Sequence, residues 1–286
     1  MRGLRARAPG EVLDFGWHEG SGRASWRPAD EADMGPVGAL CREHGVLLAL
    51  GGLDHADPLT DVSVLWVELE APPVGCQAMT GAPGRWLVQP GCTVAQAREA
   101  GLTQFDARYD HLNVAGWLAD RRVCAWPAGQ TWRSGLLMAS VLLADGGSAV
   151  LGPFGASSGA TLDTLFLQRA VPALFQLNGG ALAQTCRQTP DWPGRYRLDA
   201  LSPQAPHQVN LAHLLLGHGG DLAWVRWMVF EAAPVAETGS GRARFRAPEA
   251  WGEGGETEVA AAELDAAVKA VFDPANLFPQ PGQQLD

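Results

Sequence analysis

The sequence predicts an α+β protein, and three observations carry that expectation. Apolar residues make up 47% of the chain and charged residues 18%, the balance of a chain that buries a core rather than of a disordered one. Short runs rich in β-branched and aromatic residues are mixed along the chain with capped, helix-forming stretches. The 35 glycines and 20 prolines then predict many short elements joined by tight turns.

Residues 28–44 read as a helix interrupted near Gly35-Pro36. The apolar run Val46–Leu50 reads as a strand that stops at Gly51-Gly52, and Val62–Leu69 reads as the next strand. Arg85–Gln89 is a further strand, closed by Pro90-Gly91. Thr93 followed three residues later by Gln96 is a capping box, which opens a short helix over Val94–Ala100. Ser140–Ala144 and Ser148–Leu151 flank Asp145-Gly146-Gly147, a hairpin turn.

From about Leu165 the texture changes, with an apolar segment at Val171–Leu177, a helix near Val209–Leu216 and a strand at Leu222–Phe230. That strand is apolar at nearly every position, as a strand buried on both faces should be. Residues 234–256 read as a surface loop around a short strand. Thr257–Val271 reads as a helix, with Glu258 and Glu263 toward its start and Lys269 near its end to match the macrodipole. There is no internal repeat. The expected organisation is a larger domain over 1–160, a small α+β cap or substrate domain over 161–256, and a C-terminal helix and tail over 257–286 that pack back on the first domain.

Composition excludes several function classes. With 21 Lys+Arg against 31 Asp+Glu the net charge is −10, which is poor material for coating a phosphate backbone. Lys269 is the only lysine. The longest apolar runs, such as Leu136–Ala144, fall short of the roughly 20 residues a spanning helix needs. The basic N-terminus has no apolar stretch behind it and is not read as a signal peptide. The five cysteines are widely spread with no CxxC pair, which fits reduced thiols in an intracellular protein.

His213 and His218 are five apart, so on one helix they diverge by about 140° and form no two-ligand face. No metal site is expected, and His55 reads as an exposed loop residue. No nucleophile elbow is expected at Ser134, Ser157 or Ser158. Arg121, Arg122 and Arg133 read mainly as a solvated loop, with an anionic cofactor or a small carboxylate as the functional alternative.

Three glycine-containing turns remain. Leu50-Gly51-Gly52-Leu53-Asp54 follows an apolar strand, where converging backbone N–H groups can hold an anion. Val88–Thr93 is a strand, a turn and a capped helix start. Asn113-Val114-Ala115-Gly116-Trp117-Leu118-Ala119 precedes Leu142–Gly146 by some 25 residues. Taken in series with the tail Val271–Gly282 (VFDPANLFPQPG), these segments resemble the FAD-linked oxidases with a vanillyl-alcohol-oxidase (PCMH) type flavin domain. They are most similar to the smaller flavoprotein component of bacterial glycolate oxidase. The similarity is strongest over 45–151 and 268–282, and the tail, close to the pattern FDPxxxxNPG, is its most specific part.

The resemblance implies a two-subdomain PCMH-type FAD-binding fold, followed by a small α+β cap domain and a C-terminal tail. It implies FAD held by main-chain donors at Gly51, Gly52, Leu53, Asp54, Ala115 and Gly116, and it assigns no catalytic base. The implied activity is oxidation of a 2-hydroxy acid to a 2-oxo acid. The chain would then be the FAD-binding subunit, beside a larger flavoprotein subunit and an iron–sulfur subunit. Its location would be cytoplasmic, at most peripheral to the inner membrane through those partners. Several positions depart from the family pattern. Leu53 replaces the third glycine of the GGG loop, Asn113 and Ala115 replace the threonine and first glycine of TxGG, residues 127–134 lack the family's aspartate, and the GSxGTLG turn has no counterpart in 152–180. All fall on cofactor-facing turns, which leaves a second expectation: a non-catalytic subunit of the same fold that has lost FAD.

Overall fold

The computed structural model describes residues 7–18, 20–53, 62–155, 162–233 and 255–281. Two sheets organise the α+β architecture. The first has the order β1 (Gly10–His18), β2 (Ser21–Pro28), β4 (Ser63–Val67), β3 (Val46–Leu50). β1 and β2 form an antiparallel pair, while β2, β4 and β3 run parallel. Helix α1 (Met34–Glu43) connects β2 to β3 and buries Met34, Val37 and Cys41. Inner-face residues Ala24, Trp26, Leu48, Leu50, Leu65 and Val67 share one apolar cluster with that helix.

The interruption expected at Gly35-Pro36 does not occur: the helix runs through both residues. Pro36 stands in the first turn, where the backbone N–H that proline lacks has no intrahelical acceptor in any case. The strands at 10–18 and 21–28 are absent from the sequence reading; Gly10, Gly16 and the charged residues between the apolar ones mask their alternation.

The second sheet is antiparallel, with the order β5 (Cys76–Ala78), β6 (Arg85–Val88), β9 (Trp224–Glu231), β7 (Leu136–Leu142), β8 (Ser148–Leu151). The β7–β8 hairpin turns at Asp145–Gly147 as expected: Asp145 Oδ1 accepts from Gly147 N at 2.8 Å, and Gly146 has a positive φ of 89°. Between β6 and β7 lie the short helices α2 (Val94–Glu99) and α3 (Val114–Ala119), and α3 contributes residues to both apolar clusters.

β9 crosses the expected domain division. The sequence reading gives this strand to a separate cap domain over 161–256, but it pairs with β6 on one side and β7 on the other. Its apolar faces explain why: Val225, Met228, Val229 and Phe230 are buried, and only a central place in the sheet covers both sides. Helices α4 (Leu165–Gly179) and α5 (Ala181–Cys186) pack with α6 (Glu256–Phe272) against the same core, and not around one of their own. The tail returns to the first sheet, where Leu48 N donates to Leu277 O at 2.8 Å. Among the described residues no helix is long and apolar enough to cross a membrane. The segment 234–254, read as a surface loop, lies outside the described residues.

Candidate functional site

The segments singled out by the sequence do converge. Leu50, at the end of β3, and Ala115, in α3, line one cavity with His218, Gly220, Ala223, Trp224 and Val225. The room in it that a water-sized sphere can reach is about 10 Å³.

At the first turn, Gly51 is buried and its N–H donates to Val67 O at 2.9 Å. A β-carbon on Gly51 would meet the Glu68 carboxyl group at 2.5–2.9 Å, so a carboxyl group lies against this turn. Gly52 is exposed with φ +74°, and nothing lies within 4 Å of where its side chain would be. Leu53 is half-buried and packs on the cluster that contains Leu50 and Ala115. Its Cδ2 lies 3.9 Å from the position a β-carbon on Gly116 would take. Asp54 and His55 lie outside the described residues, as do Ser157 and Ser158.

The second and third turns are tied together. The capping box is present: Thr93 Oγ1 accepts from Gln96 N at 3.1 Å, and Gln96 Oε1 accepts from Thr93 N at 2.9 Å. Asn113 caps α3, its Oδ1 accepting from Gly116 N at 2.7 Å. Val114 N donates to Cys92 O at 2.7 Å and Ala115 N to Pro90 O at 3.0 Å. All six residues of α3 are buried.

These geometries bear directly on a diphosphate. A nest binds an anion only through N–H groups that lack other acceptors. Three of the amides the resemblance assigns, on Gly51, Ala115 and Gly116, already donate within the protein. The Glu68 carboxyl group beside Gly51 opposes a second anion, and a Leu53 methyl lies within van der Waals reach of Gly116. The cavity has room for about one water, about 10 Å³, where sites for drug-sized ligands take roughly 300–1,000 Å³. Among the described residues, three of the six assigned amides therefore have no hydrogen left to offer a diphosphate.

The arginines that follow α3 serve the structure. Arg121 is buried and donates to Cys124 O at 2.7 Å, Trp192 O at 2.8 Å and Gly194 O at 3.3 Å. Burial, reinforced by Arg197, lowers its pKa to about 10. Arg122 pairs with Asp120 at 2.7 Å, and the guanidinium of Arg133 lies 5.5 Å from the centre of the Trp132 ring. His213 also has a structural place. Its Nε2 contacts Leu136 O at 2.8 Å and its Nδ1 contacts Thr131 Oγ1 at 2.9 Å. A carbonyl only accepts, so Nε2 carries the proton and Nδ1 accepts from the threonine. Burial holds its pKa down to about 4.

The sequence reading missed what surrounds His218. The segment Gly217-His218-Gly219-Gly220-Asp221 carries three positive-φ glycines, at +80°, +67° and +77°. A β-carbon on Gly219 would lie 1.8 Å from an Arg195 guanidinium nitrogen, and one on Gly217 2.5 Å from Arg121 Cδ. The loop therefore exists only because glycines let charged side chains press onto its backbone. Arg195 pairs with Asp221 at 2.6 Å. Lys269 donates to Asp221 O at 2.5 Å, Asp273 Oδ2 at 2.6 Å and Phe278 O at 3.1 Å. Lys269, read from the sequence as complementing the macrodipole near the helix end, is buried and makes these three bonds. Asp265 accepts from Arg195 N at 2.8 Å and Tyr196 N at 3.1 Å.

Inside this ring of charges His218 is 1% exposed, and neither ring nitrogen has a hydrogen-bond partner among the described residues. Burial, helped by Arg195 and Lys269, lowers its pKa to about 3 and keeps it neutral. The cue in the sequence was the histidine set among glycines, Gly-His-Gly-Gly-Asp, rather than its distance from His213. Among the described residues no cluster of His, Cys, Asp or Glu could hold a metal ion. The five cysteines are free thiols.

No protein-family model matches the chain, and no curated protein does. Similar solved structures include 4-ethylphenol oxidase from Gulosibacter chungangensis, at 14% identity and a TM-score of 0.43, covering 78% of this chain and 40% of that one. Alkyldihydroxyacetonephosphate synthase shows 10% identity and a TM-score of 0.41, covering 74% of this chain and 32% of that one. Glucooligosaccharide oxidase from Acremonium strictum, with its 6-S-cysteinyl, 8α-N1-histidyl FAD, shows 16% identity and a TM-score of 0.40, covering 73% and 35%. The chain covers less than half the length of each of these proteins. Likeness at this level fixes neither the fold nor an activity for this chain.

Proposed function

We propose that this chain is a non-catalytic subunit with a flavin-domain architecture, working within a glycolate-oxidase-like complex that oxidises a 2-hydroxy acid to a 2-oxo acid. A larger flavoprotein subunit and an iron–sulfur subunit are its partners, and the redox chemistry belongs to their cofactors. What supports the subunit type is the resemblance of 45–151 and 268–282 to the smaller flavoprotein component of bacterial glycolate oxidase. One observation carries the loss of cofactor: the amides of Gly51, Ala115 and Gly116 are spent inside the protein, with a Leu53 methyl against Gly116.

A second reading, the FAD-binding subunit of the same complex, is favoured by the meeting of Leu50 and Ala115 at one cavity. The visible spectrum of the purified chain separates the two. The expected result is a colourless protein that added FAD does not reconstitute after gel filtration. A flavin band at about 450 nm in stoichiometric yield overturns the first reading and establishes the second.

A further inference from the structure

In the first sheet β1 is an end strand, bonded to β2 on one side, and among the described residues nothing pairs with its other edge. A bare edge of nine residues is a template for another strand, and proteins guard such edges with lysine, proline, free charges or bulges. β1 carries neither lysine nor proline, and both of its acids are taken up within the hairpin. Glu11 pairs with Arg27 at 2.7 Å, and Asp14 Oδ1 accepts from Gly16 N at 2.8 Å. Leu13, Phe15 and Trp17 are 57%, 59% and 69% exposed. The bulge between Asp14 and Gly16 does not hide these side chains but sends them to both sides of the sheet. Leu13 stands opposite Ser25, and the Phe15 ring lies 6.4 Å from that of Trp66, both on the outer face. Trp17 stands opposite Gly22, on the face of Ala24 and Trp26. A surface laid against one face covers only one of these sets. A strand added in the plane of the sheet covers both.

We propose that this strand is β1 of a second copy, paired antiparallel about a two-fold axis so that two four-stranded sheets become one of eight strands. Among the described residues the other edges leave that choice. β3, at the opposite end of the same sheet, has its Leu48 N–H taken by Leu277 O of the tail. The end strands of the second sheet, β5 and β8, have only three and four residues. A β1-to-β1 contact also closes on itself, whereas β1 on a different edge would go on adding copies. The three exposed side chains withdraw about 400 Å² per copy from water, half of the roughly 800 Å² per partner of a stable interface. The paired backbones and flanking residues add to that area, and a dimer in the micromolar range follows. The pairing requires neither a flavin nor another subunit, so its test is independent of the colour of the protein.

The full chain, with any purification tag at its C-terminus, is followed by sedimentation equilibrium between about 1 and 200 μM. Its mass is expected to rise from 30.3 kDa to twice that value, with a midpoint at tens of micromolar. Leu13→Lys places a charge on one side of the edge, and Trp17→Ser removes the apolar contact on the other. Each is expected to weaken dimerisation by about tenfold or more. Both side chains are more than half exposed, so the urea midpoint of the monomer stays where it is. Hydrogen exchange at the two ends of the concentration range identifies the contact, because the amides of residues 10–18 gain protection in the dimer. The proposal is overturned if the chain stays at 30.3 kDa at ~200 μM. A chain that stays monomeric and floats with phosphatidylglycerol vesicles overturns it too, by giving the same side chains to a lipid surface. A dimer that both variants leave intact, or in which residues 10–18 exchange as fast as in the monomer, overturns it equally.

Discussion

His213, His218, Asp221 and Asp265 are all buried, and burial moves the two kinds of group in opposite directions. It lowers the histidines to about 4 and about 3, and it raises Asp221 to about 6 and Asp265 to about 7. The unfolded chain binds more protons than the native one at the histidines between about pH 4 and 6.5, so that pair makes stability rise with pH there. At the aspartates the native state binds more protons between about pH 4 and 7, so that pair makes stability fall. The slopes oppose, and the wild-type profile is expected to be nearly flat over pH 4–6.5. Asp265→Asn removes one falling contribution. Its urea-unfolding free energy should therefore climb with pH across that window, by on the order of 1 kcal/mol per pH unit; a flat variant profile would contradict the assignment of Asp265. None of this was legible from residue types. Nothing in the sequence marks His218 and Lys269 as buried; the packing of α6, the tail and the 217–221 loop buries them.

The elements that the sequence announced most clearly are those with local causes. Thr93 and Gln96 form their capping box with atoms three residues apart, and Asp145–Gly147 turns the hairpin with bonds of similar reach. Asn113 marks the boundary between the legible and the hidden. That Asn113 could cap a helix is a local matter. That α3 is buried on every side, with its first amides held by Cys92 and Pro90, is not. Asn113→Ala leaves the Gly116 N–H without its acceptor. It should lower the unfolding free energy by about 1–2 kcal/mol in urea titrations. A loss indistinguishable from zero would mean that this amide is free to bind something else, and would reopen the cofactor reading.

Across the whole molecule, the place of β9 decides how the chain divides. A strand from 224–231 completes a sheet whose other members come from 76–151, so no cut near residue 160 separates two folding units. A fragment of residues 1–160 should show neither cooperative unfolding nor dispersed amide resonances, since β6 and β7 would face each other across a missing strand. A well-folded fragment would restore the two-domain division. The sequence by itself determined the α+β character, β3, β4, β6 and the long C-terminal helix, and the turns that meet at the cavity, because propensity, capping and turn chemistry act over a few residues. The tertiary structure alone decided which strands are neighbours, which amides already have acceptors, and that a Leu53 methyl lies against Gly116. Those facts depend on contacts between segments tens to more than a hundred residues apart, which no local pattern records.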